Sequence, residues 1–576
     1  MSKSVAEKTK PRKSGTSKYK PSACNDKMTF QECELAVLRQ VVDESETRQG
    51  AKIANSPEVI QIIKILEDFL VRKRLICYGG TAINNILPKE AQFYDRSVEI
   101  PDYDFFSPNA LHDAKELADK YFMAGYDEVE AKAGMHPGTY KVYVNFLPVA
   151  DVTFLHPVLF DSLSKDAITV AGIKYAPPNY LRMAMFLELS RPNGDVSRWE
   201  KVLKRINLLN RFYPLEPDMN VCNAMDFQRG LDIAANKDSA ESIYYLARDS
   251  FIDQGVVFLG GYGTSLYSKY MEKDRRHQVE RIPDFDVLAE DTQKCAMIVR
   301  DRLTDAGFKG VKIVQHTPIG EVIPSHVEIN ISGDIIAIIY KPVACHSYNK
   351  ITVAGREVNV ATIDTMLSFY LAFLYANKPY FDKDRMLCMA AYLFEVEQKN
   401  SLEQKGLLKR FSLDCYGRQP TMEEIRAEKT AKYTELRHST KPSDRKEYER
   451  WFLKYRPAAD KHWLKAKREE PNKEDAKSQE PTRTLELSLS SETPSMKAPS
   501  PPPPLKTPTT PRVNGTRMEP RYTRRNRRTR FQKRREDVQK HPYAKGQDAQ
   551  KHPYAKGQDA QKHPYTKRVF NFYRRR

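Results

Sequence analysis

Two stretches of this chain repeat the same series of motifs at almost the same spacing. In the first, a short apolar run ends in Gly79-Gly80, and the sequence IPDYD follows at residues 100–104. In the second, a similar run ends in Gly260-Gly261, and IPDFD follows at residues 282–286. A single Asp-X-Asp pair arises by chance every few hundred residues, whereas two ordered sets at matched spacing do not. The sequence therefore predicts an internal duplication of one module.

Each module adds a third carboxylate in a strand-like run. This residue is Asp151 or Asp334, which follows the Asp-X-Asp motif by 47 or 48 residues. The tetrapeptide TVAG then begins 18 residues after each of these aspartates. We therefore place the two modules at about 28–220 and 221–400.

The carboxylates of the first module have the spacing of a metal site. Successive residues in a strand point to opposite faces, so Asp102 and Asp104 are expected to project together while Tyr103 enters the core. Two carboxylates this close repel each other unless a cation lies between them. With Asp151 from a neighbouring strand, they would suit two Mg²⁺ ions. A lone Asp-X-Asp motif would more simply be a solvated turn, and the duplicated context argues against that.

The glycine pair has the features of an anion site. Gly79-Gly80 lets the backbone approach a ligand closely, and Thr81 would open a helix whose free N–H groups favour a phosphate. No Lys-Ser/Thr follows the glycines, so the motif is not a P-loop. A tight turn without a ligand is the alternative for the glycine pair alone.

These motifs in this order resemble the polymerase-β-like nucleotidyltransferase superfamily. The sequences YGGTAIN at residues 78–84 and IPDYDFFS at residues 100–107 are similar to the poly(A) polymerase catalytic subunits of nucleocytoplasmic large DNA viruses. The resemblance covers roughly residues 30–400. It implies an α+β fold with tandem nucleotidyltransferase domains. It also implies template-independent addition of AMP from ATP to RNA 3′ ends, with Mg²⁺ or Mn²⁺.

The resemblance assigns roles to six residues of the first module. Gly79, Gly80 and Thr81 would hold the triphosphate of ATP. The metal ligands and catalytic residues would be Asp102, Asp104 and Asp151, and the last would help to deprotonate the 3′-hydroxyl.

The second module departs from the family pattern, and we expect it to be degenerate. Its sequence GGYGT, residues 260–264, inserts two residues between the glycine pair and the threonine. This insertion puts the triphosphate pocket in doubt. Asp284, Asp286 and Asp334 nevertheless remain as a candidate second metal site.

The family also carries expectations about partners and location. Some members resemble self-sufficient homodimers, and others use a separate processivity subunit. A viral protein of this kind would act in the virus particle and in the viral factory of the host cytoplasm. No signal peptide is recognisable, and the longest apolar stretch, Met366–Ala376, is too short to cross a bilayer and is predicted to be a buried helix.

The net charge of +19 is concentrated at the two ends of the chain. Residues 497–576 contain 23 Lys and Arg against 5 Asp and Glu, and residues 1–27 contain 8 against 2. We interpret residues 1–27 and 465–576 as disordered and residues 401–464 as a helical element.

An Arg-rich block and 11-residue repeats that begin KHPYAK occupy the C-terminal region. Basic side chains with interleaved aromatic residues suit single-stranded RNA. The candidate RNA-binding residues of the block are Arg521, Arg524, Arg525, Arg527, Arg528 and Arg530. A solubilising, nuclear-targeting or particle-packaging tail would have the same composition.

Other functions stay open from the residues alone. The same superfamily includes enzymes that add CCA or oligouridine or that make oligoadenylate, and an inactive RNA-binding scaffold is a further alternative. The eight cysteines are spread singly without a CxxC pair, so a zinc site is not expected and a reducing compartment is the default.

Overall fold

The computed structural model describes five stretches of the chain, which are residues 23–25, 27–229, 237–279, 282–400 and 403–459. All of them belong to one structural unit. The arginines of the Arg-rich block and the 11-residue repeats lie outside the described residues.

The first module consists of a mixed sheet with helices. Its elements in chain order are α1 (Phe30–Ala54), α2 (Pro57–Lys73), β1 (Ile76–Tyr78), α3 (Gly79–Ile86), β2 (Tyr103–Ser107), α4 (Ala110–Met123), β3 (Val129–Ala133), β4 (Thr139–Val144), β5 (Leu147–Phe154), α5 (Pro157–Asp166), β6 (Ile168–Val170), β7 (Ile173–Tyr175), α6 (Pro178–Leu189), α7 (Trp199–Phe212) and α8 (Met219–Ala224).

The second module repeats the strands of this series without a helix in the place of α5 among its described residues, and a C-terminal segment follows it. The elements of the second module are α9 (Lys237–Asp253), β8 (Val257–Leu259), α10 (Gly260–Ser265), β9 (Phe285–Leu288), α11 (Thr292–Asp305), β10 (Val311–His316), β11 (His326–Ile331), β12 (Asp334–Tyr340), β13 (His346–Val353), β14 (Arg356–Ala361), α12 (Ile363–Phe373) and α13 (Lys383–Asn400). The segment contains β15 (Cys415–Tyr416), α14 (Met422–Leu436), α15 (Pro442–Phe452) and β16 (Lys454–Tyr455).

The strands form two eight-stranded sheets with the same internal order. Sheet 1 runs β16-β3-β4-β5-β2-β1-β7-β6, and sheet 2 runs β10-β11-β12-β9-β8-β14-β13-β15. Without the end strands β16 and β15, every strand of sheet 1 has a counterpart at the same place in sheet 2. The predicted tandem arrangement and α+β class are therefore confirmed, whereas the exact module boundaries stay predictions.

The TVAG tetrapeptides form equivalent hairpin turns. Ala171 and Gly172 have φ angles of +50° and +82°, and Ala354 and Gly355 have φ angles of +48° and +80°. Positive φ at both central residues is typical of a type I′ turn, whose twist matches that of the flanking strands. The turns connect β6 to β7 and β13 to β14, so the repeated sequence corresponds to a repeated structure.

Helix α2 shows how local sequence sets these elements. The Ser56 hydroxyl accepts a hydrogen bond from the Val59 N–H, and Pro57 occupies the first turn, so the helix begins there. Its core face includes Leu66 and Phe69, which are buried against sheet 1. The helix ends at Lys73, and the next residue, Arg74, caps it with a φ of +54°.

Helices α6 and α12 are counterparts, and they join the two modules. Every residue of α12 is buried, which confirms the prediction of a buried helix in this region. The rings of Tyr180 and Tyr375 meet edge to face, with centroids 5.5 Å apart, and the Ser347 N–H donates to the Ser190 carbonyl at 2.8 Å. Within the described residues, no helix is both long and apolar enough to span a membrane.

The C-terminal segment is more than the predicted helical element, because it adds a strand to each sheet. Strand β15 pairs with β13 in sheet 2, and β16 pairs with β3 in sheet 1. The Trp451 side chain is buried just before β16, and the Lys429 ammonium donates to the Gly134 carbonyl at 2.6 Å. The segment therefore contacts both modules.

Six cysteines form three disulfides, which differs from the default expectation of reduced thiols. Nothing in the sequence indicated them, because the partners are distant along the chain or lie on separate elements. The pairs are Cys24–Cys33, Cys222–Cys388 and Cys345–Cys415.

Candidate active site

The glycine pair lies where β1 turns directly into α3. Gly79 has a φ of +73°, and a Cβ atom at this position would lie 2.6 Å from Oδ2 of Asp104. A Cβ atom on Gly80 would lie 2.8 Å from the Tyr94 hydroxyl and 2.9 Å from a guanidinium nitrogen of Arg205. Gly79 therefore requires glycine because of its left-handed φ, whereas a side chain in place of Gly80 would have to displace the Tyr94 hydroxyl and the Arg205 guanidinium.

Thr81 is buried in the first turn of α3. Its hydroxyl donates a hydrogen bond to the Asp102 carbonyl at 2.5 Å. Thr81 thus fixes the backbone of the Asp-X-Asp motif relative to the glycine turn. The expected contact of Thr81 with a triphosphate stays a prediction.

The structure brings the three predicted aspartates of the first module together on one face of sheet 1. Strands β2 and β5 are parallel, and Asp104 lies directly opposite Asp151 in their register. Asp102 precedes β2 by one residue, and Tyr103 is fully buried between the two aspartates of the motif. The predicted alternation, with carboxylates outward and the tyrosine inward, is confirmed.

The aspartate cluster carries more negative charge than its surroundings neutralise. Burial, and then the neighbouring Asp102 and Asp151 carboxylates, raise the pKa of Asp104 to about 7. Loss of hydration, and then the Asp151 charge, also raise the pKa of Asp102. The Lys141 ammonium on β4 forms an ion pair with Asp151. A cluster in which like charges oppose ionisation is suited to a divalent cation, so these residues fit a metal site.

A different acidic cluster lies on α4. Among the described residues, His112, Asp113 and Glu116 are the one group of three whose ligand atoms all lie within 4.8 Å of one another. The Lys73 ammonium lies 2.8 Å from Asp113 and 2.9 Å from Glu116. Since Lys73 pairs with both carboxylates and Arg72 also pairs with Glu116, we interpret the group as an ion-pair cluster of the fold.

Helix α7 contributes basic residues that the motif analysis missed. Arg198, just before the helix, and Lys201 attract the Asp104 and Asp102 carboxylates and oppose the rise in their pKa values. The Arg205 guanidinium lies beside Gly80 and over the Phe93 ring, 5.1 Å from its centroid. Spacings of three and four residues place side chains on one helix face, and this pattern was the signal available in the sequence.

In the second module, an arginine contacts both members of the aspartate pair. The Arg229 guanidinium lies 2.6 Å from Asp284 and 3.3 Å from Asp286, and both aspartates are buried. The backbone N–H of Arg229 donates to Asp284 at 3.1 Å, and the Tyr340 hydroxyl donates to Asp286 at 3.2 Å. A cation of the chain itself therefore lies against both carboxylates of this pair.

Asp334 does not join the pair, and its predicted place in a second metal site is corrected. Strands β12 and β9 are parallel, and Ile338 lies opposite Asp286 in their register. Asp334 lies four residues earlier on β12, or about 13 Å along the strand. Ile338 is thus the counterpart of Asp151, and the matched sequence spacing concealed a shift in register.

The glycine turn of the second module also differs. A Cβ atom on Gly261 would lie 2.3 Å from an oxygen of Asp284, whereas its counterpart Gly80 faces a guanidinium. The Thr264 hydroxyl is buried against the Tyr370 hydroxyl at 3.0 Å. A carboxylate thus lies against Gly261 where a guanidinium lies against Gly80, and this turn is less suited to a triphosphate.

Comparison with known proteins gives a family match for the first module. Residues 64–195 match the family model described as poly(A) polymerase catalytic subunit. This segment includes the glycine turn and all three aspartates of the first module, and it excludes the second module.

Viral proteins provisionally named poly(A) polymerase catalytic subunits are similar over part of their length. One from a Malawi tick isolate of African swine fever virus is 34% identical over 168 residues, which are 28% of this chain and 35% of the relative. One from Acanthamoeba polyphaga mimivirus is 30% identical over 201 residues, which are 34% of this chain and 32% of the relative. The match thus spans about a third of the length of these curated relatives.

A solved structure is similar over most of the fold. The crystal structure of the Megavirus polyadenylate synthase superposes with a TM-score of 0.61 and 18% sequence identity. The match covers 75% of this chain and 91% of the other. At this identity the likeness shows a shared fold.

Proposed function

Residues 64–195 carry a poly(A) polymerase catalytic subunit domain, and from this premise we propose that the protein is a template-independent polynucleotide adenylyltransferase. It would add AMP from ATP to the 3′ end of viral mRNA. The observation that supports this most is the contrast between the two aspartate clusters. Asp104 and Asp151 face each other beside an open glycine turn, whereas Arg229 fills the equivalent place in the second module.

In this proposal, Asp102, Asp104 and Asp151 hold two divalent ions, Mg²⁺ or Mn²⁺. When bound, such ions activate a 3′-hydroxyl and stabilise the leaving pyrophosphate. Asp151 helps to take the proton from the attacking hydroxyl. Gly79 gives Asp104 the room to stay close to the glycine turn, and Thr81 holds the Asp102 backbone in place.

The triphosphate of ATP would lie at the N-terminus of α3. Gly80 exposes backbone there, and the first-turn N–H groups attract an anion. Arg205 lies against the same turn, and Lys201 projects from the same face of α7. The pocket thus combines backbone donors with two cations, which suits a ligand with several negative charges.

Two other functions remain as alternatives. One is a related transfer that gives a CCA, oligouridine or oligoadenylate product. The other is an inactive RNA-binding scaffold. The first module argues against a scaffold, because a cluster that only needed stability would gain from a buried cation such as Arg229.

The partners follow from the same proposal. They are ATP and an RNA 3′ end, together with either a second copy of the chain or a separate processivity subunit. The relatives bear the name of catalytic subunits, which supports the second arrangement. As a viral enzyme, the protein would act in the virus particle and the host cytoplasm.

Extension of a labelled RNA primer with each nucleoside triphosphate separately tests the proposal. Long products with ATP alone, in Mg²⁺ or Mn²⁺ and abolished by a chelator, are expected. Short products of mixed composition, or products with UTP, would favour the related transferases. No extension under any condition would favour the scaffold.

A further inference from the structure

The open face of sheet 1 continues well beyond the aspartates. Along β3, β4 and β5, alternate residues are buried on the side that α2 and α4 cover. Ala131, Val142 and Val152 belong to this buried set, whereas Lys132, Lys141 and Asp151 are partly exposed. The partly exposed residues form a polar surface that includes the candidate active site.

Strand register places a row of lysines across this surface. Asp151 lies opposite Lys141, Lys141 opposite Lys132, and Lys132 opposite Lys454 on β16. Residues opposite each other in a sheet share a face, and neighbouring strands lie about 4.8 Å apart. The row therefore leads from Asp151 to the edge of the sheet over about 14 Å.

An open groove lies at the far end of the row. Its volume is about 500 Å³, and its lining combines basic and aromatic side chains. The basic residues are Lys132, Lys429, Lys454 and Arg456, and the aromatic residues are Trp451 and Phe452. Glu130 is the acidic residue of the lining, and it pairs with Lys132 and Arg456. A net positive charge remains after this pairing.

An aromatic ring also lies within the row. The Lys132 ammonium lies 4.0 Å from the centroid of the Tyr143 ring, which is on the same face two residues after Lys141. Cations interleaved with aromatic rings are typical of surfaces that bind single-stranded nucleic acid, through phosphate contacts and base stacking.

The second module provides an internal comparison. At the places of Asp151, Lys141 and Lys132, the register of sheet 2 puts Ile338, Glu328 and Val314. In the described part of sheet 2, no strand pairs with the outer edge of β10 as β16 pairs with its counterpart β3. The lysine row thus lies beside the aspartate cluster of the first module. The equivalent positions beside the Asp284–Asp286 pair, which Arg229 contacts, hold no lysine.

We propose that the row of Lys141, Lys132 and Lys454, with the groove beyond it, binds the single-stranded RNA just upstream of the 3′ end. This inference rests on the proposed function, since it takes the aspartate cluster as the place where the 3′ end reacts. The C-terminal segment, which follows the second module, thereby completes the RNA surface of the first module through β16.

Removal of two row lysines tests the proposal in the full chain. The variant Lys132→Gln/Lys454→Gln is compared with Lys309→Gln/Lys312→Gln, which removes the same charge from exposed positions at the β10 edge of sheet 2. Binding of a fluorescent RNA of about 16 nucleotides, a length within known single-strand site sizes, is measured by anisotropy in chelator over a range of salt. Thermal melts check that both variants fold.

The row variant is expected to bind RNA about tenfold more weakly. A plot of the logarithm of its binding constant against the logarithm of salt concentration should be less steep by about 1.4, which is about 0.7 for each phosphate that is no longer neutralised. The KM for primer should rise in parallel, while kcat and the KM for ATP stay unchanged. The control should match the wild type. Equal binding by both variants and the wild type would overturn the proposal.

A crosslinking measurement separates the row from the basic C-terminal tail. RNA with 4-thiouridine three nucleotides from its 3′ end is irradiated on the wild-type chain, and the crosslinked peptide is mapped. Crosslinks within residues 129–143 or 451–456 support the proposal, and crosslinks to the tail alone contradict it. The anisotropy and crosslinking measurements omit ATP, so a chain that binds RNA along the row but extends no primer would contradict the proposed function and leave this inference standing.

Discussion

At the residue scale, the two modules differ most in the cation beside each aspartate pair. Lys141 pairs with Asp151, and its side chain is 39% exposed, so it can move toward solvent or substrate. Arg229 is 12% exposed and also binds Asp284 through its backbone N–H, so it is held more firmly than Lys141. In the proposed function the first cluster exchanges this lysine for metal ions, whereas an arginine of the chain lies against both carboxylates of the second.

Replacement of Arg229 should therefore lower the stability of the fold and should not affect catalysis directly. Arg229→Met leaves two buried carboxylates without their adjacent cation, and the free energy of unfolding in urea should fall by about 3–5 kcal/mol. Adding Asp284→Asn and Asp286→Asn should restore most of this loss, because the charges that need Arg229 are then absent. Unchanged stability of the single variant would show that Arg229 does not neutralise the pair.

Part of the site could be predicted from the sequence for a clear reason. Gly79, Asp102, Asp104 and Asp151 act through local turns and strand alternation, which spacing reveals. Arg229 was missed because nothing local marks an arginine 55 residues before Asp284 as its partner. Asp334 was misplaced because equal spacing along the chain does not ensure equal register between strands.

At the element scale, α7 supplies the cations that the proposed triphosphate pocket needs. Lys201 and Arg205 lie one helical turn apart on the face toward the aspartates and the glycine turn. Lys204 on the same helix is 73% exposed and pairs with Glu200. The helix thus offers both a test position and a matched control.

Lys201→Ala and Arg205→Ala should each raise the KM for ATP by about tenfold, equivalent to about 1.4 kcal/mol of lost binding. Lys204→Ala should leave it unchanged. Steady-state extension of a fixed RNA primer over a range of ATP concentrations measures the effect. If all three variants behave alike, the helix acts only through its general charge.

A second feature at this scale is an ion cluster that joins α12, α13 and the segment after them. Arg410 forms a two-pronged contact with Asp364, at 2.8 Å and 3.0 Å, and also pairs with Glu397. Burial, and then the Asp364 charge, raise the pKa of Glu397 to about 8 despite Arg410. Two carboxylates thus share one guanidinium, and Glu397 keeps its proton near neutral pH.

The sign of the resulting pH effect follows from the raised pKa. The folded chain retains a proton on Glu397 that the unfolded chain releases above about pH 4.5, so this group lowers stability as pH rises from about 4.5 to 8. Glu397→Gln removes this dependence. In thermal melts at pH 5.5 and pH 9, the melting temperature of the variant relative to that of the wild type should therefore be higher at pH 9 than at pH 5.5. An equal difference in melting temperature at both pH values would contradict the assignment.

At the scale of the whole molecule, the chain repeats one strand order in two sheets, and the two copies differ in the surroundings of their aspartate pairs. Sequence periodicity predicted the duplication, because each module repeats the same strand and turn signals. The strands β15 and β16 could not be predicted in this way. Each has two residues, and each exists only because a sheet edge elsewhere in the fold pairs with it.

We propose that the first module alone carries the active site, and two matched variants test this directly. Extension of a labelled RNA primer with ATP is measured for Asp102→Asn/Asp104→Asn and for Asp284→Asn/Asp286→Asn, at a temperature where melts show both to be folded. We expect the first variant to give no extension and the second to make long products, although it should melt earlier because Arg229 loses its partners. Extension by the first variant and none by the folded second variant would contradict this assignment.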